Sequence, residues 1–223
     1  MIPGPYQVIG CPACGVPALV ATLISGNTIG AVLWSDGNML APMLPEASRI
    51  TRCRRCGEFY WVDAAPVLGE IPPYARGWDS PEIPSEWTSA EETPDLLERE
   101  FLQCISRGLA HDRDQELYLR IRAWRTGNDR VRSLLAVGKV PSVWKRSLAA
   151  TKNLQLLSEM LDTDDPDQRI LRAEAKRELG HFREAVALLA TAMPEDRRSV
   201  VDFVRGLAEN KDALVRPLPH EVG

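Results

Sequence analysis

Cys11-Pro12-Ala13-Cys14-Gly15 and Cys53-Arg54-Arg55-Cys56-Gly57 decide how the first part of this chain folds. Two residues between paired cysteines let both sulfurs reach one ion, and the glycine after each pair permits the tight turn that aims backbone N–H groups at the sulfurs. Four thiolates in two such pairs are what a closed tetrahedral site needs: one structural Zn2+ on Cys11, Cys14, Cys53 and Cys56. The spacing alone leaves iron, or redox dithiols and disulfides, as alternatives. A catalytic zinc keeps an open position, usually beside a histidine or carboxylate. No histidine falls in the first 110 residues.

Working outward, the segment from Tyr6 to Ala65 reads as a small β domain. Val16 to Ile24 is apolar and β-branched, Ser25-Gly26-Asn27 is a turn signal, and Ile29 to Trp34 reads as a second strand. Asp36-Gly37 suits a tight hairpin, Ile50 leads into the second knuckle, and Glu58 to Val62 leaves it as a strand. So little apolar area needs a staple, and a metal supplies on the order of 10 kcal/mol.

The chain has 223 residues, a net charge of −4 and 17 prolines. That length allows one large or two ordinary domains, and so small a charge predicts neither a nucleic-acid nor a membrane partner. No run of about 18 apolar residues is present, and Met1-Ile2-Pro3-Gly4-Pro5 lacks the basic and apolar regions of a secretory signal. Five cysteines, four in metal-type spacing, fit a reducing compartment, so a cytoplasmic location is expected.

Three domains are expected: residues 1–65 around the knuckles, 66–94 as an acidic connector, and 95–223 as a helical domain. Pro66, Pro72, Pro73, Pro81, Pro84 and Pro94 exclude a long helix from the connector, and Glu70, Asp79, Glu82, Glu86, Glu91 and Glu92 make it acidic. Tyr74, Trp78 and Trp87 are costly to leave in water, so the connector is expected to pack along the helical domain.

From Asp95 the apolar period becomes helical. Leu97, Phe101, Cys104 and Ile105 share a face, as do Leu117, Ile121 and Trp124 in a helix expected to end at Gly127-Asn128. Ser142 can cap a helix bearing Trp144, Leu148, Leu154 and Leu161. Asp165-Pro166 opens a helix that runs to Leu179 before Gly180. Phe182, Ala185, Val186 and Leu189 make the next stripe, and Pro194-Glu195-Asp196 opens one with Val200, Phe203, Val204 and Leu207. About six helices joined by short turns suggest stacked αα-hairpins, with an irregular tail after Val215. The fold class is therefore α+β multidomain, a small β region followed by an all-α region.

The knuckles resemble the zinc-ribbon class with rubredoxin-like knuckles over roughly the first 65 residues, with Cys11, Cys14, Cys53 and Cys56 at the ligand positions. The separation between the knuckles exceeds that of compact ribbons, which makes residues 25–45 an elaboration. That class serves many functions, so the resemblance implies a metal more than an activity. Leu171 to Ala192 resembles one tetratricopeptide repeat, with Ala173, Gly180, Phe182, Ala185 and Ala192 at its small and aromatic positions. Pro194 comes earlier than that repeat's closing proline, and a single good copy implies a degenerate or capping unit. This second resemblance implies a protein-binding surface.

No nucleophile elbow, phosphate-cradling glycine loop or HExxH pattern is present, so no catalytic residue is assigned. Cys104 reads as a small core residue; His111, His181 and His220 read as surface or capping groups. Arg52, Arg54 and Arg55, with Arg49 before them and Phe59, Tyr60 and Trp61 after, are candidate nucleic-acid contacts. The plainer reading is a solvated turn whose arginines offset the charge of a tetrathiolate zinc. The expected function is a non-catalytic adaptor binding another protein. A nucleic-acid-binding accessory protein is the alternative, and an enzyme with a structural ribbon the third class.

Overall fold

Short antiparallel sheets precede seven helices in the computed structural model, which describes residues 1–73, 83–141 and 144–219. The strands are β1 (Ile2–Pro3), β2 (Tyr6–Gly10), β3 (Pro17–Val20), β4 (Leu23–Ser25), β5 (Val32–Leu33), β6 (Met39–Leu40), β7 (Ile50–Arg52), β8 (Phe59–Trp61) and β9 (Val67–Ile71). The helices are α1 (Ser85–Thr88), α2 (Glu98–Ser106), α3 (Arg113–Ala136), α4 (Leu148–Met160), α5 (Pro166–Glu178), α6 (Phe182–Leu189) and α7 (Arg198–Glu209). The chain divides into two compact units, one of residues 1–31 and 40–96, the other of 32–39 and 97–223.

In the first unit β2 is the centre of the sheet β3-β2-β9. Alternation along β2 sends Val8 to one face, where it is buried with Leu19, Ile71 and Ala90, and Ile9 to the other with the cysteines. Residues 91–93 run alongside β3: Leu19 N donates to Glu91 O at 3.0 Å and Thr93 N to Leu19 O at 2.9 Å. The described part of residues 66–94 thus supplies β9, α1 and an added sheet edge. Trp87 packs on this sheet. A Cβ on Gly69 would lie 2.5 Å from its ring, which is why glycine stands there. Tyr74, Trp78, Asp79, Pro81 and Glu82 lie outside the described residues.

The second unit contains a piece that the sequence placed with the knuckles. Asp36-Gly37 makes the hairpin turn as read, with Gly37 at φ 71° and Gly37 N donating to Trp34 O at 2.8 Å. This hairpin belongs to the helical unit because its polar groups find their partners there. Asp36 is 0% exposed; its carboxylate pairs with Arg132 and accepts from Asn128 Nδ2 at 2.9 Å. Arg125 donates to the carbonyls of Asp36 and Gly37, and Ser35 Oγ accepts from Arg216 N at 3.0 Å. Trp34 is buried with Val131 and Val215, under the Arg132 guanidinium.

α3 does not end at Gly127-Asn128. Gly127 sits mid-helix with the Glu98 carboxylate of α2 against it: an added Cβ would fall 2.3 Å from Glu98 Oε1, the end of a flexible side chain that could shift. Asn128 points inward, also donating to Glu178 Oε1 at 3.2 Å. α4 begins at Leu148, capped by Ser147, so Trp144 precedes it; Ser142 lies outside the described residues. α5 begins as read, Asp165 accepting from the N–H groups of Asp167 and Gln168 with Pro166 at N1, and ends before Gly180 at φ 83°. Trp124, Leu154, Leu157 and Leu161 fill the core between α3 and α4, while Ile170, Ala173, Ala185, Leu189, Val201 and Val204 fill that of α5 to α7. The tail after Val215 is irregular yet tied down, Leu218 N donating to Leu33 O at 2.8 Å.

Two outcomes follow from these buried charges. Asp36→Ala leaves Arg132 and Asn128 facing an empty position and should cost about 3 kcal/mol, read as a lower urea midpoint of the helical circular-dichroism signal. A loss below about 1 kcal/mol would contradict the assignment. Burial raises Glu178 from 4.5 to about 7, with Arg146 and Arg177 pulling it back and Glu174 and Asp36 pushing it further. Between those values the folded unit holds a proton that the unfolded chain has released. This group therefore destabilises the fold progressively as pH rises from about 4.5 to 7. Glu178→Gln should flatten that slope in urea midpoints measured across the window; an unchanged slope would show that another group causes it.

Candidate metal centre

Both knuckles are built on the same hydrogen bonds. Cys11 N donates to Val16 O at 2.9 Å and Gly15 N to Cys11 O at 2.8 Å; Cys53 N donates to Glu58 O at 2.8 Å and Gly57 N to Cys53 O at 2.9 Å. Each turn requires a left-handed residue, and Gly15 (φ 71°) and Gly57 (φ 76°) supply it. The first turn joins β2 to β3 and the second joins β7 to β8, so strand pairing fixes where each presents its sulfurs.

The two turns bring all four sulfurs together: Cys11, Cys14, Cys53 and Cys56 place their Sγ atoms within 4.8 Å of one another. Cys11 and Cys56 are 3.7 Å apart and Cys14 and Cys53 3.6 Å. A tetrahedron with metal–sulfur bonds of about 2.3 Å has edges of about 3.8 Å, so the separations suit one shared ion. They are far too long for disulfides, and all five cysteines of the chain are free. Cys11 and Cys53 are buried with Ile9, Tyr60 and Ala65, while Cys14 and Cys56 face outward.

The electrostatics also call for a cation. Burial pushes the Cys11 thiol up to about 12. Burial acts the same way on Cys53, but N–H groups of Cys56 and Arg55 outweigh it and hold that thiol down at about 7. Cys56 is raised: the Glu58 N–H favours its thiolate, but burial and the Cys53 and Cys14 thiols outweigh it. Tyr60 beneath them is pushed to about 12 by burial and by the four cysteines. Four thiolates this close repel one another until a divalent ion neutralises them. A soft, four-sulfur donor set of this kind fits zinc.

Beside the knuckles lies a cleft of about 670 Å³, lined by Cys14, Cys53, Arg52, Arg54, Arg55 and Tyr60 on one side and by Glu86 and residues 89–94 on the other. The structure thus gathers the candidate arginines at one cleft, but places Glu86, Glu91 and Glu92 with them. Arg54 Nε lies 3.0 Å from Glu91 Oε2 and donates to Glu92 O at 3.2 Å. The acids were visible in the sequence as an acidic stretch; that they return to β3 depends on backbone pairing that composition does not reveal. Phe59, Tyr60 and Trp61 are buried, with exposures of 5–7%.

No protein-family model matches the chain, nor does any curated protein or solved structure.

Nothing lies within 4 Å of a Cβ built on Gly15 or Gly57, so only their backbone conformation demands glycine. Gly57→Ala and Gly15→Ala should each cost about 1–2 kcal/mol. Faster amide exchange at residues 11–16 and 53–58, with the helices unchanged, would register this; unaltered exchange would refute it.

Proposed function

We propose that the protein is a non-catalytic zinc-binding adaptor, with one structural Zn2+ on Cys11, Cys14, Cys53 and Cys56 and a protein partner on its helical surface. The observation carrying the zinc assignment is the cluster of four sulfurs within 4.8 Å of one another. Four thiolates fill a tetrahedral coordination shell, leaving no position for substrate or water, and this favours a staple over a reaction centre. Other nucleophiles and bases support the same reading. Cys104 is buried and its thiol pushed to about 12 by burial, which suits a core residue. His181 is half-exposed and lies 3.3 Å from Glu184; His111 is exposed; His220 lies outside the described residues.

The partner-binding reading draws on the α5–α6 hairpin, where Ala173 and Ala185, both 0% exposed, allow close helix packing of the tetratricopeptide kind. Ala192 departs from that pattern: α6 stops at Leu189, leaving Ala192 exposed beyond it, which suits a terminal unit. Against a nucleic-acid role stand the three glutamates that balance Arg52, Arg54 and Arg55 in their cleft, and the burial of the aromatics that would stack on bases. Among the described residues no helix is long and apolar enough to cross a membrane.

Native mass spectrometry should find one zinc per chain, lost on chelation. Cys53→Ser should unfold the knuckle region in hydrogen exchange while α2 to α7 keep their protection. No metal, or undiminished protection around the knuckles, would overturn the zinc assignment. Steep, salt-dependent RNA or DNA affinity lost on changing Arg52, Arg54 and Arg55 to alanine would replace the adaptor reading with the nucleic-acid one.

A further inference from the structure

A cleft of about 390 Å³ opens within the helical unit where the first turn of α2, the middle of α3 and the segment leading into α4 meet. Its walls carry four cations, Arg99, Arg130, Lys145 and Arg146, against one carboxylate, Glu98. Of the four, Arg146 is committed to the interior: its side chain is 8% exposed and it pairs with Glu178. Arg99, Arg130 and Lys145 are exposed and have no ion-pair partner among the described residues. This contrasts with the knuckle cleft, where acids match the arginines one for one.

Backbone adds to the positive field. Leu97, the N-cap of α2, and Ser147, the N-cap of α4, both line the cleft; Glu98 and Glu100 offset the α2 dipole and Glu100 accepts from Leu97 N, so the contribution comes from α4. α4 has no acidic residue in its first turn to offset its dipole. Two buried donors on lining residues, Arg146 Nε and Trp144 Nε1, have no acceptor among the described residues. We infer that this cleft binds an anion of the phosphate class, carried by a small molecule of a size that about 390 Å³ admits. Arg130, Lys145 and Arg99 would contact the oxyanion, while Arg146 holds the floor through Glu178 and Asn128.

Glu98 makes the inference sharp. It is half-buried against Gly127, and burial holds its carboxyl above the usual carboxylate range, with Arg146 opposing. A negative group there works against an anion, so its removal should strengthen binding, whereas a site for a cation would weaken.

The test is isothermal titration of the full-length zinc-loaded protein at constant ionic strength with inorganic phosphate, pyrophosphate and phenyl phosphate. Saturable binding is expected, weakened at least about tenfold in the Arg130→Ala, Lys145→Ala double variant and tightened several-fold in Glu98→Gln. Both positions of the double variant are exposed, so its helical circular dichroism should match the parent. Tighter binding of phenyl phosphate than of inorganic phosphate would identify a phosphomonoester as the ligand; the reverse order would identify free phosphate. No saturation by about 10 mM, affinity indifferent to the double variant, or weaker binding by Glu98→Gln would each overturn the site.

Discussion

An ionised carboxylate taken out of water must be met by opposite charge and by hydrogen-bond donors, or it will not stay buried. Asp36 meets that constraint fully buried and paired with Arg132. Around it the helical unit assembles a set in which signs balance: Asp36, Glu174 and Glu178 against Arg132, Arg146 and Arg177. Trp124 Nε1 donates to Glu178 at 2.9 Å, Asn128 bridges Asp36 and Glu178, and Arg177 Nη2 reaches Leu214 O at 2.9 Å. The partners come from the hairpin at residues 32–39, from α3, α5 and the tail. One interior network therefore defines where each of these pieces stops.

The first unit solves a different problem. Its sheets are short, and its apolar clusters consist of a few residues on either side of β2. A metal held on the four sulfurs would supply what such a core lacks, and the long excursion between Cys14 and Cys53 would do little to weaken it. Loop-closure cost rises by only about 0.6 kcal/mol for each doubling of length. Against binding energy on the order of 10 kcal/mol for a structural zinc, a separation of 39 positions from Cys14 to Cys53 is a small penalty. The insert is thus free to carry the Asp36 hairpin without forfeiting the knuckles.

What could be read in the sequence is what local chemistry determines. The knuckles are legible because the ligand spacing and the trailing glycines are set by one turn; Asp165-Pro166 and Gly180 are legible because caps act within four residues. The misreadings each come from a distant partner. Gly127 looks like a stop until Glu98 is seen lying against it. Asp36-Gly37 reads correctly as a turn, but its membership of the helical unit depends on Arg132, 96 residues along the chain. Trp87 reads as an aromatic in need of cover, and the cover it has is Gly69, on a strand hidden in a proline-rich stretch.

The same accounting of partners separates structural charges from those with work still to do. Arg177 is 0% exposed and spends its donors on Glu174, Leu214 O and Asp212 O, so nothing remains for a ligand. Arg54 is exposed yet answered by Glu91, and in high dielectric such a pair contributes little while cancelling the local field. Arg99, Arg130 and Lys145 differ from both: exposed, unanswered among the described residues, and set around a cavity that the N-terminus of α4 faces. Field strength in a cleft depends on uncompensated charge and on walls that exclude water, not on the number of arginines. By that criterion the arginines of the second knuckle are offset by glutamates across their own cleft, whereas at the cleft between α2 and α4 four cations face one carboxylate.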